Sequence, residues 1–133
     1  MTARDNAGVS AGSPVRVVLV DDDANMVELV RGILVDDGFD VVGLTDTREV
    51  LDTLRSFEPH VVVLDEVMPQ IDGLDLGEEI REHRPHQAIV IFSSLFDQRL
   101  SQETARLGFV YCEKAAGVDA LEAAIEEAHR SAS

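Results

Sequence analysis

The stretch "VVVLDEVMPQIDG" (residues 61–73) joins four consecutive apolar residues to two adjacent acids, Asp65 and Glu66. A short apolar run rich in valine is typical of a strand buried on both faces of a parallel sheet. Asp72 and Gly73 then indicate a turn before the next element. A carboxylate at the end of a buried strand is unusual, because burial penalises a charge that has no partner. Asp65 is therefore the first candidate functional residue.

Apolar runs of the same kind recur along the chain. Five of them predict strands, at residues 15–20, 39–44, 60–64, 88–92 and 109–112. Five apolar stripes at helical spacing follow these strands in turn: Met26, Val30, Ile33 and Leu34; Val50, Leu54 and Phe57; Leu76 and Ile80; Phe96, Leu100 and Leu107; Leu121, Ala124, Ile125 and Ala128. Strict alternation of strand and helix predicts an α/β fold, in which a parallel sheet carries helices on both faces.

Length, composition and charge limit the function classes open to the chain. Its 133 residues, 45% of them hydrophobic, are sufficient for one domain with one core. Residues 1–14 are rich in small residues and predict a flexible tail, so we place the domain at residues 15–130. A formal charge of −15 disfavours nucleic acid and anionic membranes as partners. A single cysteine, no signal peptide and no membrane-spanning segment predict a cytoplasmic protein.

Polar residues follow four of the five predicted strands. Asp21, Asp22 and Asp23 come after the first strand, Asp65 and Glu66 after the third, Ser93 after the fourth and Lys114 after the fifth. Ligands of such sheets bind beyond the carboxyl ends of the strands, where these side chains would meet. Clustered carboxylates suit Mg²⁺, with Mn²⁺ as an alternative, and the ammonium of Lys114 suits an anion. Lys114 is the only lysine among 11 basic residues, which favours a specific role.

Each of these residues also has a simpler interpretation. The acids of residues 21–23 could cap the first helix, Ser93 could cap the fourth, and Lys114 could be a solvated loop residue. A calcium-binding loop that starts in the acidic run is excluded, because Met26 stands where glycine is needed and Gly32 where glutamate is needed. The predicted convergence on one edge of the sheet favours the functional interpretation.

Four segments of the chain resemble, in order and spacing, the signature segments of the response-regulator receiver domain of two-component signalling. They are "VVLVDDDANMVELV" (17–30), "VVVLDEVMPQIDG" (61–73), "IVIFSS" (89–94) and "YCEK" (111–114). The resemblance covers essentially all of the domain. It implies a flavodoxin-like, doubly wound (βα)5 fold, a three-layer sandwich with parallel strand order 2-1-3-4-5. It also implies a signalling domain rather than an enzyme. Such a domain catalyses only its own phosphorylation and dephosphorylation.

The resemblance implies roles for individual residues around the phosphoryl group. Asp65 would be the phosphoacceptor, and Lys114 would pair with the phosphoryl group. Ser93 would hydrogen-bond a phosphoryl oxygen when the switch closes, and Tyr111 matches the aromatic residue that swings inward on activation. The side chains two positions past the acceptor and the serine, Val67 and Leu95, would set the rate of dephosphorylation. Both are apolar, so the resemblance predicts slow loss of phosphate.

A magnesium site is implied by the same resemblance. Asp22 and Asp65 would bind Mg²⁺ directly, Val67 would bind it through its backbone carbonyl, and Asp21 would act through water. Asp23 extends the acidic run but is interpreted as a helix cap. Ala115 departs from the family, which often has a proline with a cis peptide after the lysine. Since a cis bond to alanine would cost about 3 kcal/mol, we predict a trans peptide and a differently shaped loop.

The expected partners follow from the family. A sensor histidine kinase or a phosphotransfer protein would supply the phosphoryl group. Phosphorylation would then switch partner binding, or homodimerisation, through the face built from the fourth helix, the fifth strand and the fifth helix. We place five residues on this face: Arg99, Arg106, Tyr111, Glu122 and Glu126.

Two rival interpretations stay open. A haloacid-dehalogenase-type phosphatase also uses an aspartate nucleophile, a hydroxyl, a lysine and Mg²⁺. Its nucleophile follows the first strand in a D-x-D-x-[TV] motif, whereas here Asp21 and Asp23 precede Ala24 and Asn25. The second rival is a pseudo-receiver, a binding module of the same fold that takes no phosphate.

Overall fold

The computed structural model describes residues 13–95 and 97–132. Residues 1–12 of the predicted tail and Phe96 of the fourth apolar stripe lie outside the described residues. Strands and helices alternate as predicted: β1 (Arg16–Val20), α1 (Ala24–Asp36), β2 (Asp40–Leu44), α2 (Val50–Phe57), β3 (Val61–Leu64), α3 (Gly73–His83), β4 (Ala88–Ser93), α4 (Gln98–Arg106), β5 (Val110–Glu113) and α5 (Val118–Ala132). Short 3₁₀ turns precede α2 and α5, at Thr47–Glu49 and Lys114–Ala116.

The five strands of the described chain form one parallel sheet in the order β2-β1-β3-β4-β5, so the predicted fold class and strand order are confirmed. In the register of this sheet, Val20 lies beside Leu64, and Leu64 lies beside Ile91. The residues that follow these positions therefore leave the sheet at the same edge. This register is what brings Asp21 and Asp22 next to Asp65.

The apolar core lies on both faces of the sheet. Alternate residues of each strand point to opposite faces, so Val17 and Leu19 pack with α1 and α5, whereas Val18 and Val20 pack with α2 and α3. The strands are buried nearly throughout, as expected for a sheet covered on both faces. No helix in the described ranges has both the length and the apolar character that a membrane crossing needs.

Helix α1 shows where the predicted helix stripes were wrong. Its buried residues are Val27, Val30 and Leu34, which follow a 3.6-residue period, while Met26 is only half-buried and Ile33 is 36% exposed. The other stripes are largely confirmed. The predicted stripe residues of α2, α3 and α5 are buried, except that Phe57 is only half-buried. Leu107 lies just past the end of α4.

Glu122 corrects the predicted partner face. We placed it on the surface formed by α4, β5 and α5, but it is only 4% exposed. It belongs to the buried side of α5, with Leu121 and Ile125. Glu126, one turn further along, is half-buried, and Arg99 and Arg106 of α4 are exposed. Of the five residues assigned to that face, Glu122 is therefore the one that cannot present its side chain there.

Candidate phosphoacceptor and metal site

The edge of the sheet at the carboxyl ends of the strands carries a cluster of three carboxylates. Asp21 and Asp65 directly follow β1 and β3, and their amides extend the sheet: Asp65 N donates to Val20 O at 3.0 Å, and Asp21 N to Leu44 O at 3.1 Å. Both side chains are buried, whereas Asp22 is exposed. One carboxylate oxygen from each of the three acids lies within 4.8 Å of the others. The backbone of the sheet therefore fixes two of the three acids.

Lys114 connects the buried acids. Its Nζ donates to Asp21 Oδ2 at 2.7 Å and lies 3.1 Å from Asp65 Oδ1. The lysine side chain is 15% exposed, and it lies in the 3₁₀ turn that follows β5. The residues predicted from the ends of three different strands thus meet in one site.

The surroundings of the site shift the pKa values of Asp65 and Lys114. Burial raises the pKa of Asp65 above its ordinary value, and the nearby charge of Asp21 raises it further, against the opposing effect of Lys114. For Lys114, burial acts to lower the pKa, but the contacts with Asp21 and Asp65 raise it on balance. The lysine is therefore charged at neutral pH, and it offsets only part of the repulsion among the three acids.

Asp23 does not join the cluster. Its Oδ1 accepts hydrogen bonds from the amides of Asn25 and Met26, at 3.0 and 3.2 Å, and so caps α1. Its own amide donates to Asp21 Oδ1 at 3.0 Å. The interpretation of Asp23 as a helix cap is confirmed, and its cap holds the acidic run in place beside β1.

Ser93 and Tyr111 are joined through the backbone of Leu95. Ser93 is fully buried at the end of β4, and its Oγ accepts from the amide of Leu95 at 3.1 Å. The hydroxyl of Tyr111 donates to the carbonyl of the same residue. The cap of α4 is Asp97, whose Oδ1 accepts from Arg99 N at 2.9 Å. The simpler interpretation of Ser93 as the cap of that helix is therefore wrong.

Glu66 has a role that sequence analysis missed. Its backbone carbonyl accepts from Gly73 N at 2.9 Å, and its Oε1 accepts from Leu74 N at 2.9 Å. Asp72, the residue at the N-cap position of α3, makes no side-chain cap. Burial raises the pKa of Glu66, against the opposing effect of the Leu74 amide, and the charges of three nearby aspartates raise it further. The sequence analysis predicted only a turn at Asp72 and Gly73, and it gave no cap for this helix.

The donor set fits a magnesium ion. Three carboxylates supply hard oxygen atoms, and exposed Asp22 leaves one side open to water, which Mg²⁺ retains in proteins. The side chains of Val67 and Leu95, the residues two positions past Asp65 and Ser93, are 58% and 46% exposed. The described residues contain no cis peptide bond, which confirms the trans prediction for Ala115.

Comparison with known proteins identifies the family. A family model described as "Response regulator receiver domain" matches residues 17–126, which includes every acid of the cluster and Lys114. The chain belongs to the response regulator receiver domain family. Family membership therefore favours the receiver interpretation over the dehalogenase-type phosphatase.

Relatives of this receiver domain include both short and long proteins. The chemotaxis protein CheY of Thermotoga maritima is 31% identical over 94 residues, which cover 70% of this chain and 78% of that protein. The response regulator MprA of Mycolicibacterium vanbaalenii is 37% identical over 81 residues, which cover 61% of this chain but only 35% of MprA. The chain thus spans about a third of that longer relative.

A solved structure supports the same assignment. The response regulator TrrA of Thermotoga maritima, crystallised in complex with Mg(2+)-BeF, superposes with a TM-score of 0.75 and is 25% identical. The superposition covers 86% of this chain and 98% of that one. The receiver domain is therefore a CheY-type signalling domain in fold and in family, and two-component signalling is its setting.

Proposed function

We propose that this receiver domain accepts a phosphoryl group on Asp65, from a phosphohistidine of a sensor histidine kinase or a phosphotransfer protein. The observation that carries the proposal is the contact of Lys114 with two buried carboxylates, of which Asp65 ends the central strand β3. A carboxylate fixed at the end of a strand can be approached from outside the sheet without rearranging the fold. The ammonium beside it suits the charge of an incoming phosphoryl group.

The chemical step is a displacement at phosphorus. A carboxylate oxygen of Asp65 forms a bond to phosphorus while the phosphorus–nitrogen bond of the donor breaks, and the leaving imidazole takes up a proton. The product is an acyl phosphate on Asp65. Lys114 stabilises the charge on the phosphoryl oxygens, and positioning by the sheet supplies much of the rest. A bound Mg²⁺ supplies further neutralisation of those oxygens.

The ion would be held by residues of the acidic cluster. Asp22 and Asp65 would be direct ligands, the backbone carbonyl of Val67 a third, and Asp21 would act through water. We propose Mn²⁺ as a substitute, because it accepts the same oxygen ligands.

Matched variants test which residue of the acidic run binds the ion directly. Asp22→Asn should lose most of the Mg²⁺-dependent gain in unfolding free energy, while Asp23→Asn, which has the same charge change and keeps a cap acceptor, should retain it. Equal losses would refute the assignment of Asp22.

The output step starts at Ser93. Phosphorylated Asp65 carries close to two negative charges and strong acceptor oxygens, which attract the serine hydroxyl. Its present hydrogen bond to the Leu95 amide would then weaken, and the Tyr111 contact with the same residue would change. We propose that the face of α4, β5 and α5 thereby gains affinity for a partner or for a second copy of the chain. Sedimentation with beryllofluoride and Mg²⁺, with exchange mapping, tests this; unchanged exchange at residues 94–112 would contradict it.

The decisive experiment is incubation with acetyl phosphate and Mg²⁺, followed by intact mass. We expect one added phosphoryl group on the wild type and none on Asp65→Asn, which keeps the shape of the side chain. A wild type that never gains mass would refute the proposal and favour the pseudo-receiver. Phosphorylation of Asp65→Asn at the wild-type rate would assign the acceptor to another residue.

A further inference from the structure

Glu66, the residue after the proposed phosphoacceptor, holds both of the first two amides of α3. Its carbonyl accepts from Gly73 and its carboxylate from Leu74. The first amides of a helix have no partner within the helix and need an external acceptor. The usual source is the N-cap side chain, but Asp72 makes no such bond. One residue outside the helix therefore accepts from both of these amides.

The start of α3 also presses on the peptide between Asp65 and Glu66. A Cβ atom at Gly73 would lie 2.4 Å from the carbonyl oxygen of Asp65 and 3.0 Å from Cα of Glu66, so only glycine fits. On its other side, the amide of Asp65 is held by Val20 of β1. The backbone of Asp65 is thus clamped between the sheet and α3. Among the described contacts, the hydrogen bond from the Leu74 amide to the Glu66 carboxylate is the only one that joins a side chain of residues 65 and 66 to α3.

We infer that Glu66 is a positioning residue for phosphoryl transfer, acting through its hydrogen bond to Leu74. The inference rests on the proposed function. This hydrogen bond fixes the backbone of residues 65–67. The carbonyl of Val67, the last of them, is the proposed metal ligand. Small displacements of a reacting group can cost large factors in rate, so the bond contributes to the rate without touching the phosphoryl group.

The acceptor oxygen, rather than the negative charge, is what this role requires. Asp65, Asp72 and Asp75 all add negative charge around Glu66, so a further charge there is unfavourable. A glutamine has the same length and also places a carbonyl oxygen within reach of Leu74. The conservative variant should therefore rescue what an alanine loses, which separates hydrogen bonding from electrostatics.

The test compares Glu66→Ala, Glu66→Gln and Asp72→Ala. We expect the saturating rate of phosphorylation by acetyl phosphate to fall by about tenfold in Glu66→Ala, with little change in the half-saturating concentration. Glu66→Gln should stay within about twofold to threefold of the wild type. Asp72→Ala is the matched control, because it removes a carboxylate at the formal cap position that makes no cap bond. Hydrogen exchange of the Leu74 amide, measured without phosphate, should accelerate only in Glu66→Ala.

The outcomes separate this inference from the proposed function. A wild type that gains no phosphoryl group refutes the function. A wild type that is phosphorylated at the same rate as Glu66→Ala overturns only the role of Glu66. Equal losses in Glu66→Ala and Glu66→Gln would make charge the cause, and an equal loss in Asp72→Ala would make the effect general to the start of the helix. Either result would overturn the inference.

Discussion

Replacing Asp65 with asparagine should stabilise the fold when no divalent ion is present. Asp65 shares its site with two other carboxylates and one ammonium, so the site carries an excess of negative charge. The pKa of Asp65 is raised, first by burial and then by Asp21, which means that the ionised form is held at a cost. Asparagine keeps the size and shape of the side chain and removes the charge. The gain in unfolding free energy should therefore appear at neutral pH.

The size of the gain follows from the distances in the site. Two carboxylates with oxygen atoms no more than 4.8 Å apart repel by at least about 3.5 kcal/mol at an effective dielectric constant of about 20. The contact between Lys114 and Asp65 at 3.1 Å contributes about 5.4 kcal/mol of attraction on the same basis. The variant loses two repulsions and one attraction, which leaves at least about 1.6 kcal/mol in its favour before screening. Solvent screening of exposed Asp22 reduces this figure and relief of desolvation increases it, so we expect a gain of about 1–2 kcal/mol.

Urea denaturation in the presence of EDTA measures this gain. The denaturation slope should be unchanged, so that the midpoint shift reports stability alone. Asp23→Asn is the control, because it makes the same charge change in a residue that caps α1 outside the cluster. Excess Mg²⁺ should shrink the difference, since only the wild type keeps the full ligand set. A wild type as stable as Asp65→Asn in EDTA, or an equal gain from Asp23→Asn, would refute this account of the site.

Three further predictions concern the core, the lifetime of the phosphoryl group and pH. Gly77→Ala should destabilise the fold by about 1–3 kcal/mol, because its Cβ would lie 2.7 Å from a buried phenylalanine ring, while Gly32→Ala, with nothing within 4 Å, should gain up to about 1 kcal/mol in chemical denaturation. Val67→Asn combined with Leu95→Glu should speed phosphate release about tenfold, or roughly 1.4 kcal/mol of barrier, by orienting water; equal release rates would exclude these positions as the determinants. The pKa of His60 is lowered from 6.5, first by burial and then by a neighbouring arginine and histidine, so the unfolded chain binds its proton at higher pH. Unfolding free energy should therefore decline as pH falls through about 6.5, and less steeply in His60→Asn; parallel curves would contradict this.

The sheet could be predicted from sequence almost residue by residue. The pattern predicts the strand Val61–Leu64 and the other four strands to within about one residue at either end, because strands buried on both faces are continuous apolar runs. Helix α1 could not be predicted so well, since it also carries exposed apolar residues, Leu29 and Val35, which blur its period. Stripe assignment fails where apolar residues surround a helix.

The site could be predicted in its members but not in its supports. Asp21, Asp65 and Lys114 were found because parallel strands end at one edge, a property of topology alone. The bond from Leu74 to Glu66 joins residues eight positions apart across an irregular loop, for which no periodicity exists. The hydrogen bonds of the Leu95 backbone to Ser93 and Tyr111 could not be predicted either, because main-chain donors and acceptors have no residue-type signature.

The position of the single lysine gives the protein an internal chemical reporter. A reagent selective for amines finds only one ε-amine in this sequence, that of Lys114, and that amine is shielded by two carboxylates. Each molecule therefore carries either no label or one label on Lys114, and a label on the α-amine is counted separately by mass spectrometry. Titrating Mg²⁺ or beryllofluoride against such a reagent would measure occupancy of the site in the unmodified wild-type chain, without a dye, a tryptophan or an engineered substitution.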